Sequence, residues 1–188
     1  MLVVGYHQEL IRAAYPNFHY VENPNFAQEN TSKSLLRALE TIPNEDVLWL
    51  NGDVLFRKEV FSLLLHPRRT AMVVNRTRVG EEEVKYRTDG HGKVVEISKT
   101  LDRPEGESLG IHYFCRKDVP ALLEGLRCCQ PMDYFEAAIQ YAIKKGTEVS
   151  AIEVADTDCL EIDFPEDLIL ANQRLKLWNQ VRGNRSNG

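Results

Sequence analysis

An α/β domain built on a mixed, mostly parallel sheet is predicted, and three observations predict it. Short apolar runs alternate along the chain with stretches of helical periodicity, the pattern of strands joined by crossover helices. Residues 46–50 (DVLWL) form a continuous apolar run, as expected of a strand covered on both faces. Two further strand-like runs, 84–88 and 94–98, flank Asp89-Gly90-His91-Gly92-Lys93, which signals a β-hairpin insertion.

In chain order, residues 2–4 read as a strand ending at Gly5, followed by a short helix over 7–14 and a second strand over 19–21. A polar loop from Asn23 to Asn30 leads into a helix from Thr31. The Asn30-Thr31-Ser32 cluster offers capping oxygens there, and Leu35, Leu36, Ala38 and Leu39 recur at helical spacing. The strand at 46–50 stops at Asn51-Gly52-Asp53, and a short helix over 60–65 closes before Pro67. Strands follow at 71–75, 84–88 and 94–98, then a polar loop over 100–107 and a strand over 109–115. Helices are expected at 119–126 and 134–144, the second with Phe135, Ala138, Ile139, Ala142 and Ile143 on one stripe. Strands at 149–154 and 159–162 precede a closing helix over 165–181. One domain thus spans residues 1–182, with 183–188 read as a disordered tail.

Composition narrows the function classes. The chain has 188 residues, 43% hydrophobic and 27% charged, enough for one sizeable core. A net charge of −5 argues against general nucleic-acid binding, so any phosphate must be met by local basic groups or a metal ion. No apolar run approaches the roughly 18–20 residues of a membrane helix, and residues 1–5 are too short for a signal-peptide core. A cytoplasmic protein with reduced thiols is expected. Cys115, Cys128, Cys129 and Cys159 contain no CxxC pair, and the adjacent Cys128 and Cys129 suit a shared zinc ion poorly.

Two motifs carry chemistry. In LWLNGD (48–53) a buried strand delivers Asp53 to the edge where open α/β sheets bind ligands; Gly52 allows close backbone approach, and Asp53 is a hard oxygen ligand suited to Mg²⁺ beside phosphates. Asn-Gly-Asp is equally a common turn. In EIDFPEDL (161–168) a short strand ends at Asp163 and a helix begins near Pro165. As plain structure, Asp163 is an N-cap and Glu166 completes a capping box. As chemistry, Asp163 is a second metal carboxylate facing Asp53, with Glu161 one strand period away on the same face. Side by side, two such carboxylates can hold Mg²⁺ and neutralise a triphosphate.

Taken in order, these pieces resemble the nucleotidyltransferases of the Rossmann-like GT-A-type fold, and within them the LicC-type cytidylyltransferases that use phosphocholine or related small phosphates. The resemblance covers nearly the whole chain. It rests on Gly5-Tyr6, Asn23, Asn30-x-x-x-Ser34-Leu35, Asn51-Gly52-Asp53, Asp89-Gly90, Val94, Ile97-x-Lys99, Gly110-Ile111, Tyr134-Phe135-Glu136 and Glu161-Ile162-Asp163-x-x-Glu166-Asp167-Leu168. It implies metal binding by Asp53 and Asp163, and nucleotide contacts from Asn30, Thr31, Ser34 and Gly52. It also implies acceptor or phosphate contacts from Lys99, Glu107, Gly110, Glu136 and Glu161. The sequence departs from the family in one respect: it contains no G-x-G-x-R…P-K segment and begins where the family's second strand would be, so the expectation is either a reading frame that starts late or a lost N-terminal βα unit and lost activity, with a homodimer or swapped partner covering the gap.

Aromatic residues take two readings. Tyr113, Phe114, Tyr134 and Phe135 are core residues by pattern; Tyr113 and Tyr134 are the pair that would hold a quaternary ammonium by cation–π attraction. Trp49 and Trp178 read as packing. The basic stretch Arg68, Arg69, Arg76, Arg78, Lys85 and Arg87 reads as a solvated face, and His112 is the one histidine worth following.

The function expected is Mg²⁺-dependent transfer of a nucleotidyl group, by resemblance cytidylyl from CTP, to a small phosphorylated alcohol such as phosphocholine, releasing pyrophosphate. The alternative is an inactive remnant of the fold that binds the acceptor or a partner subunit, because the phosphate-binding loop is absent. A glycosyltransferase is disfavoured, since Asp53-Val54-Leu55 is not D-x-D.

Overall fold

The computed structural model describes residues 1–185 apart from 43, 66–67, 77–78 and 81–82. The first half runs β1 (Leu2–Val4), α1 (Gln8–Ala14), β2 (Tyr20–Glu22), α2 (Thr31–Leu39), β3 (Val47–Leu50), β4 (Val54–Phe56), α3 (Glu59–Leu65) and β5 (Ala71–Asn75). There follow β6 (Lys85–Thr88), β7 (Lys93–Ser98), β8 (Gly106–Phe114), α4 (Val119–Cys128) and α5 (Phe135–Lys144). The chain closes with β9 (Val149–Glu153), β10 (Cys159–Glu161) and α6 (Pro165–Arg185).

Six strands form the central sheet in the order β3-β8-β5-β9-β7-β6. β3, β5 and β9 run in one direction, but β8 is inserted antiparallel between β3 and β5, leaving β5–β9 as the parallel pair of this sheet. The sheet is mixed as expected, yet its hydrogen-bonded neighbours are mostly antiparallel rather than parallel. The anticipated hairpin is β6–β7, and β6 also meets the start of β8 at Gly106 and Glu107. Two small sheets flank the centre: β1 with β2, parallel, and β4 with β10, antiparallel.

Alternation along the central strands splits the core in two. Met72 and Val74 of β5, with Trp49 and Phe114, face one cluster built on Leu35, Leu122, Leu126, Phe135, Ile139 and Ala142 of α2, α4 and α5. Ala71 and Val73 face the other, with Val60 and Leu64 of α3, Ile111 and Tyr113. This sandwiching explains why β5 and β8 are buried along their whole lengths. It also explains polar Glu107 and Ser108 inside a strand that begins before its expected start: both are buried and both have partners, the Gly80 amide at 3.3 Å and the His112 ring at 3.3 Å.

Further differences are local. Val54–Phe56, read as no element, is a strand. α6 extends through residue 185, so residues 183–185, assigned to a tail, are helical, while 186–188 lie outside the described residues. None of the four cysteines is in a disulfide. No helix among the described residues is long and apolar enough to cross a membrane.

Candidate functional site

The site starts at the end of β3. There the Asn51 amide donates to the Gly110 carbonyl at 3.0 Å. Gly110 sits within β8 at φ +65, and a Cβ there would lie 2.6 Å from Asn51 Nδ2, so glycine is required both by conformation and by contact. The chain then turns through Gly52 and Asp53 into β4, whose pairing with β10 matches Val54 to Glu161. One rung beyond, the Ile162 amide donates to the Asp53 carbonyl at 2.9 Å. Asp53 and Asp163 are therefore neighbours across two short strands that lie more than a hundred positions apart in sequence.

The cap of α6 keeps Asp163 available. The capping box expected from Glu166 is made instead by Asp167, whose carboxylate accepts from the Phe164 amide at 2.9 Å and the Asp163 amide at 3.3 Å. The Asp163 side chain is thus not spent on the helix terminus, and it is exposed.

Both aspartates border a cleft of about 710 Å³. Asn51, Gly52, Asp53, Glu161, Asp163 and Phe164 line one side; Thr31, Lys99, Tyr134 and Glu136 line another; Ser108, Gly110 and Phe135 lie between. The second wall is fastened where α2 meets the segment before α5: Asn30 N–H donates to the Pro131 carbonyl at 2.8 Å and Phe135 N–H to the Thr31 hydroxyl at 3.2 Å. Beneath the cleft, His112 is fully buried, stacked on Trp49 with centroids 5.1 Å apart, and burial pushes its pKa down to about 3. It is a neutral core ring.

The electrostatics differ between the walls. Burial, then the carboxylates of Glu83, Asp163, Asp53 and Glu107, push the Glu161 carboxyl up to about 8. On the opposite wall, the Lys99 ammonium lies 4.1 Å from the centroid of the Tyr134 ring. Glu136, 6% exposed in the first turn of α5, is pushed up to about 7 by burial, against the favourable pull of its own backbone amide and Lys99. Its Oε2 has no hydrogen-bond partner among the described residues.

Of the residues singled out from sequence, the cleft gathers Thr31, Gly52, Asp53, Lys99, Gly110, Tyr134, Glu136, Glu161 and Asp163. Four lie elsewhere. Asn30 caps α2, its side chain accepting from the Thr31 amide at 2.7 Å, and Ser34 accepts from Asn23 Nδ2 at 3.2 Å. Glu107 borders an adjoining pocket of about 240 Å³ with Asn75, Asp156 and Arg174. Tyr113 points into the core on the other side of β8; it is 4% exposed, and its hydroxyl donates to Asp46 at 2.7 Å. The basic stretch is largely committed to neighbours: Arg76 pairs with Glu105 and Glu153, and Arg87 with Glu96. Arg78 lies outside the described residues. Ser108 joins the cleft without a signal in the sequence, whereas Asn51 and Phe164 lie inside the two motifs that carry chemistry.

The donor set suits a hard divalent cation. Asp53 and Asp163 offer exposed carboxylate oxygens beside a third carboxyl, Glu161, that burial and then the neighbouring carboxylates push up in pKa. Among the described residues, no three His, Cys, Asp or Glu side chains converge as a ready-made metal cage. A cation held here would need waters or substrate phosphates to complete its shell.

The fold is the Rossmann-like α/β fold of nucleotidyltransferases. Inositol-1-phosphate CTP transferase from T. maritima superposes with a TM-score of 0.76 at 17% identity, covering 94% of this chain and 75% of that one. CTP:phosphocholine cytidylyltransferase (LicC) from Streptococcus pneumoniae gives 0.70 at 18% identity, covering 92% and 76%. In sequence, the chain is 26% identical over 192 aligned positions to UTP–glucose-1-phosphate uridylyltransferase AglF of Haloferax volcanii, covering 94% of this chain and 76% of the relative. No family model matches the sequence. The resemblance drawn from motif order thus holds at the level of fold.

Proposed function

We propose that this protein is a Mg²⁺-dependent nucleotidyltransferase that moves a nucleotidyl group from a nucleoside triphosphate to a small phosphorylated acceptor. The observation that carries the reading is the meeting of Asp53 and Asp163 in one cleft with Lys99, Tyr134 and Glu136. The names of its relatives support the same chemistry: two are CTP-dependent transferases and one uses UTP.

In this reading an oxygen of the acceptor phosphate attacks the α-phosphorus in line. A new P–O bond forms as the bond to the β-phosphate breaks, and pyrophosphate leaves. Asp53 and Asp163 would hold the cation, whose charge would offset that of the triphosphate and the charge developing at the α-phosphoryl group. Lys99 supplies the positive charge that draws in the acceptor phosphate and orients its oxygen. Thr31 and Gly52 border the nucleotide, Gly52 without a side chain to obstruct it. Glu161 borders the same pair of carboxylates, and burial together with those neighbours pushes its carboxyl up to about 8. Positioning and electrostatics supply the rate, and no covalent enzyme intermediate is needed.

Cytidylyl is the first nucleotidyl group to test, because both of the named structural neighbours above use CTP. The experiment is pyrophosphate release with CTP and UTP, each against phosphocholine, glucose 1-phosphate and inositol 1-phosphate, with Mg²⁺ and with EDTA. The reading expects Mg²⁺-dependent release for at least one pair. No release from any pair, with the protein folded, overturns it and favours a binding role for the fold.

A further inference from the structure

Resting on that reading and deepening it, we propose that Ser108, held by His112 at the bottom of the cleft, donates a hydrogen bond to a phosphate oxygen of the bound nucleotide or acceptor.

Three features converge. First, β8 is broken at this point. Ser108 and His112 stand four positions apart on one strand, a separation of about 13 Å in regular extended chain. Their side chains nevertheless meet, with Ser108 Oγ 3.3 Å from His112 Nε2. The register against β5 accounts for this: Met72 pairs with His112 and Val74 with Ser108, so two steps of β5 face four of β8. The surplus lies at Leu109, Gly110 and Ile111, where Gly110 takes φ +65. Bulges re-aim side chains and are over-represented beside active sites. Here the bulge sets Ser108 both on His112 and at the border of the cleft.

Second, the His112 ring is held fast. Trp49 stacks on it with planes 11° apart, and Phe135 meets it edge-on with centroids 5.0 Å apart. The ring is fully buried, and its Nδ1 has no hydrogen-bond partner among the described residues.

Third, that missing partner decides what Ser108 can offer. Burial keeps the imidazole neutral, so it carries a single N–H. A proton on Nδ1 would strand an N–H in the interior, and bare buried N–H groups are rarer than bare acceptors. A proton on Nε2 is instead donated to Ser108 Oγ, which spends an oxygen lone pair and leaves the Ser108 O–H to donate elsewhere. The cleft beside it has Asp53 and Asp163 on one side and the Lys99 ammonium on another, so phosphate oxygens are the acceptors the reading brings there. A hydroxyl binds such an oxygen without adding charge, and a charged acceptor makes the bond a strong one.

The test is ¹⁵N NMR of the histidine-labelled full chain, with His112 assigned by the signal lost in His112→Phe. The free protein is expected to show a protonated Nε2 and an unprotonated Nδ1. CTP or UTP with Mg²⁺ forms one arm; inositol 1-phosphate, glucose 1-phosphate or phosphocholine forms the other. Binding in at least one arm is expected to move the His112 Nε2 resonance, and the arm that responds names the source of the oxygen. Ser108→Ala is expected to abolish that response and to weaken the responding ligand about 10- to 100-fold by calorimetry. Ser108→Thr, which keeps the hydroxyl, is expected to stay within about fivefold of wild type. A purely structural serine would lower the melting temperature of Ser108→Ala and leave ligand affinity unchanged. A proton on Nδ1, ligands that bind without moving Nε2, no binding in either arm at millimolar concentration, or wild-type affinity in Ser108→Ala overturns the proposal. Pyrophosphate release by the wild type reports on the transferase reading separately. A moved resonance without release defeats that reading alone, and release with an unmoved resonance defeats this one alone.

Discussion

The backbone amide of Ile162 donates to the carbonyl of Asp53 at 2.9 Å, and this bond joins the ends of the two strands that lead into Asp53 and Asp163, on which the proposed chemistry depends. It extends the β4–β10 ladder past the Val54–Glu161 pair, and Asp53 and Asp163 both border the cleft. Asp167, by capping α6, keeps Asp163 from being consumed as a structural group.

Neutralising either aspartate is expected to lower turnover far more than it lowers stability. Asp53→Asn and Asp163→Asn each remove a cation ligand and are expected to reduce pyrophosphate release by about 100- to 1000-fold, the scale of losing one key electrostatic contact. Both also relieve repulsion on Glu161, so melting temperatures are expected to hold or rise. Retained activity in either variant contradicts the metal assignment.

Gly110→Ala is expected to damage both fold and site. The new Cβ meets Asn51 Nδ2 at 2.6 Å in a backbone conformation that L side chains rarely adopt. A loss of about 1–3 kcal/mol in urea unfolding is expected. Turnover is expected to fall as well, since Asn51 leads directly into Asp53. Wild-type stability would show that the strand accommodates the side chain freely.

Tyr113→Phe separates core from site. It deletes the hydroxyl that donates to Asp46 at 2.7 Å, and a cost of about 1–3 kcal/mol is expected. Steady-state constants for the acceptor are expected to be unchanged. A raised acceptor KM would return Tyr113 to the binding surface.

Acid sensitivity is expected from His112. Its folded pKa is lowered from 6.5 to about 3, so between those values the unfolded chain binds a proton that the folded one refuses. Stability is therefore lost as pH falls below 6.5, by at most about 1.4 kcal/mol per unit from this group. His112→Phe, which keeps an aromatic ring against Trp49, is expected to have a shallower loss between pH 7 and 5 in urea unfolding. An unchanged slope contradicts it.

Much of the fold was legible because its strongest signals are local. The DVLWL run, the hairpin at 89–93, the Asn30 cap and the apolar stripe of α5 depend on neighbouring residues, and each appears where expected. β4 was not legible: three residues after an Asn-Gly-Asp turn carry no period, and their partner strand lies a hundred positions away. The start of β8 was hidden for the same reason, since Gly106, Glu107 and Ser108 look like loop until β5 and β6 flank them. Asp53, Asp163, Lys99 and Glu136 were readable as site candidates from motif order. Which face of β8 Tyr113 takes was not, because alternation assigns sides only once one side is known to be core.

The most direct test follows the label from a nucleoside triphosphate carrying ³²P at the α-phosphate, incubated with Mg²⁺ and each phosphorylated acceptor. The account expects label in a nucleoside-diphosphate-linked acceptor with the wild type, and none with EDTA or with Asp53→Asn or Asp163→Asn. Label that stays in the triphosphate for every acceptor, or that transfers equally in the aspartate variants, would contradict it.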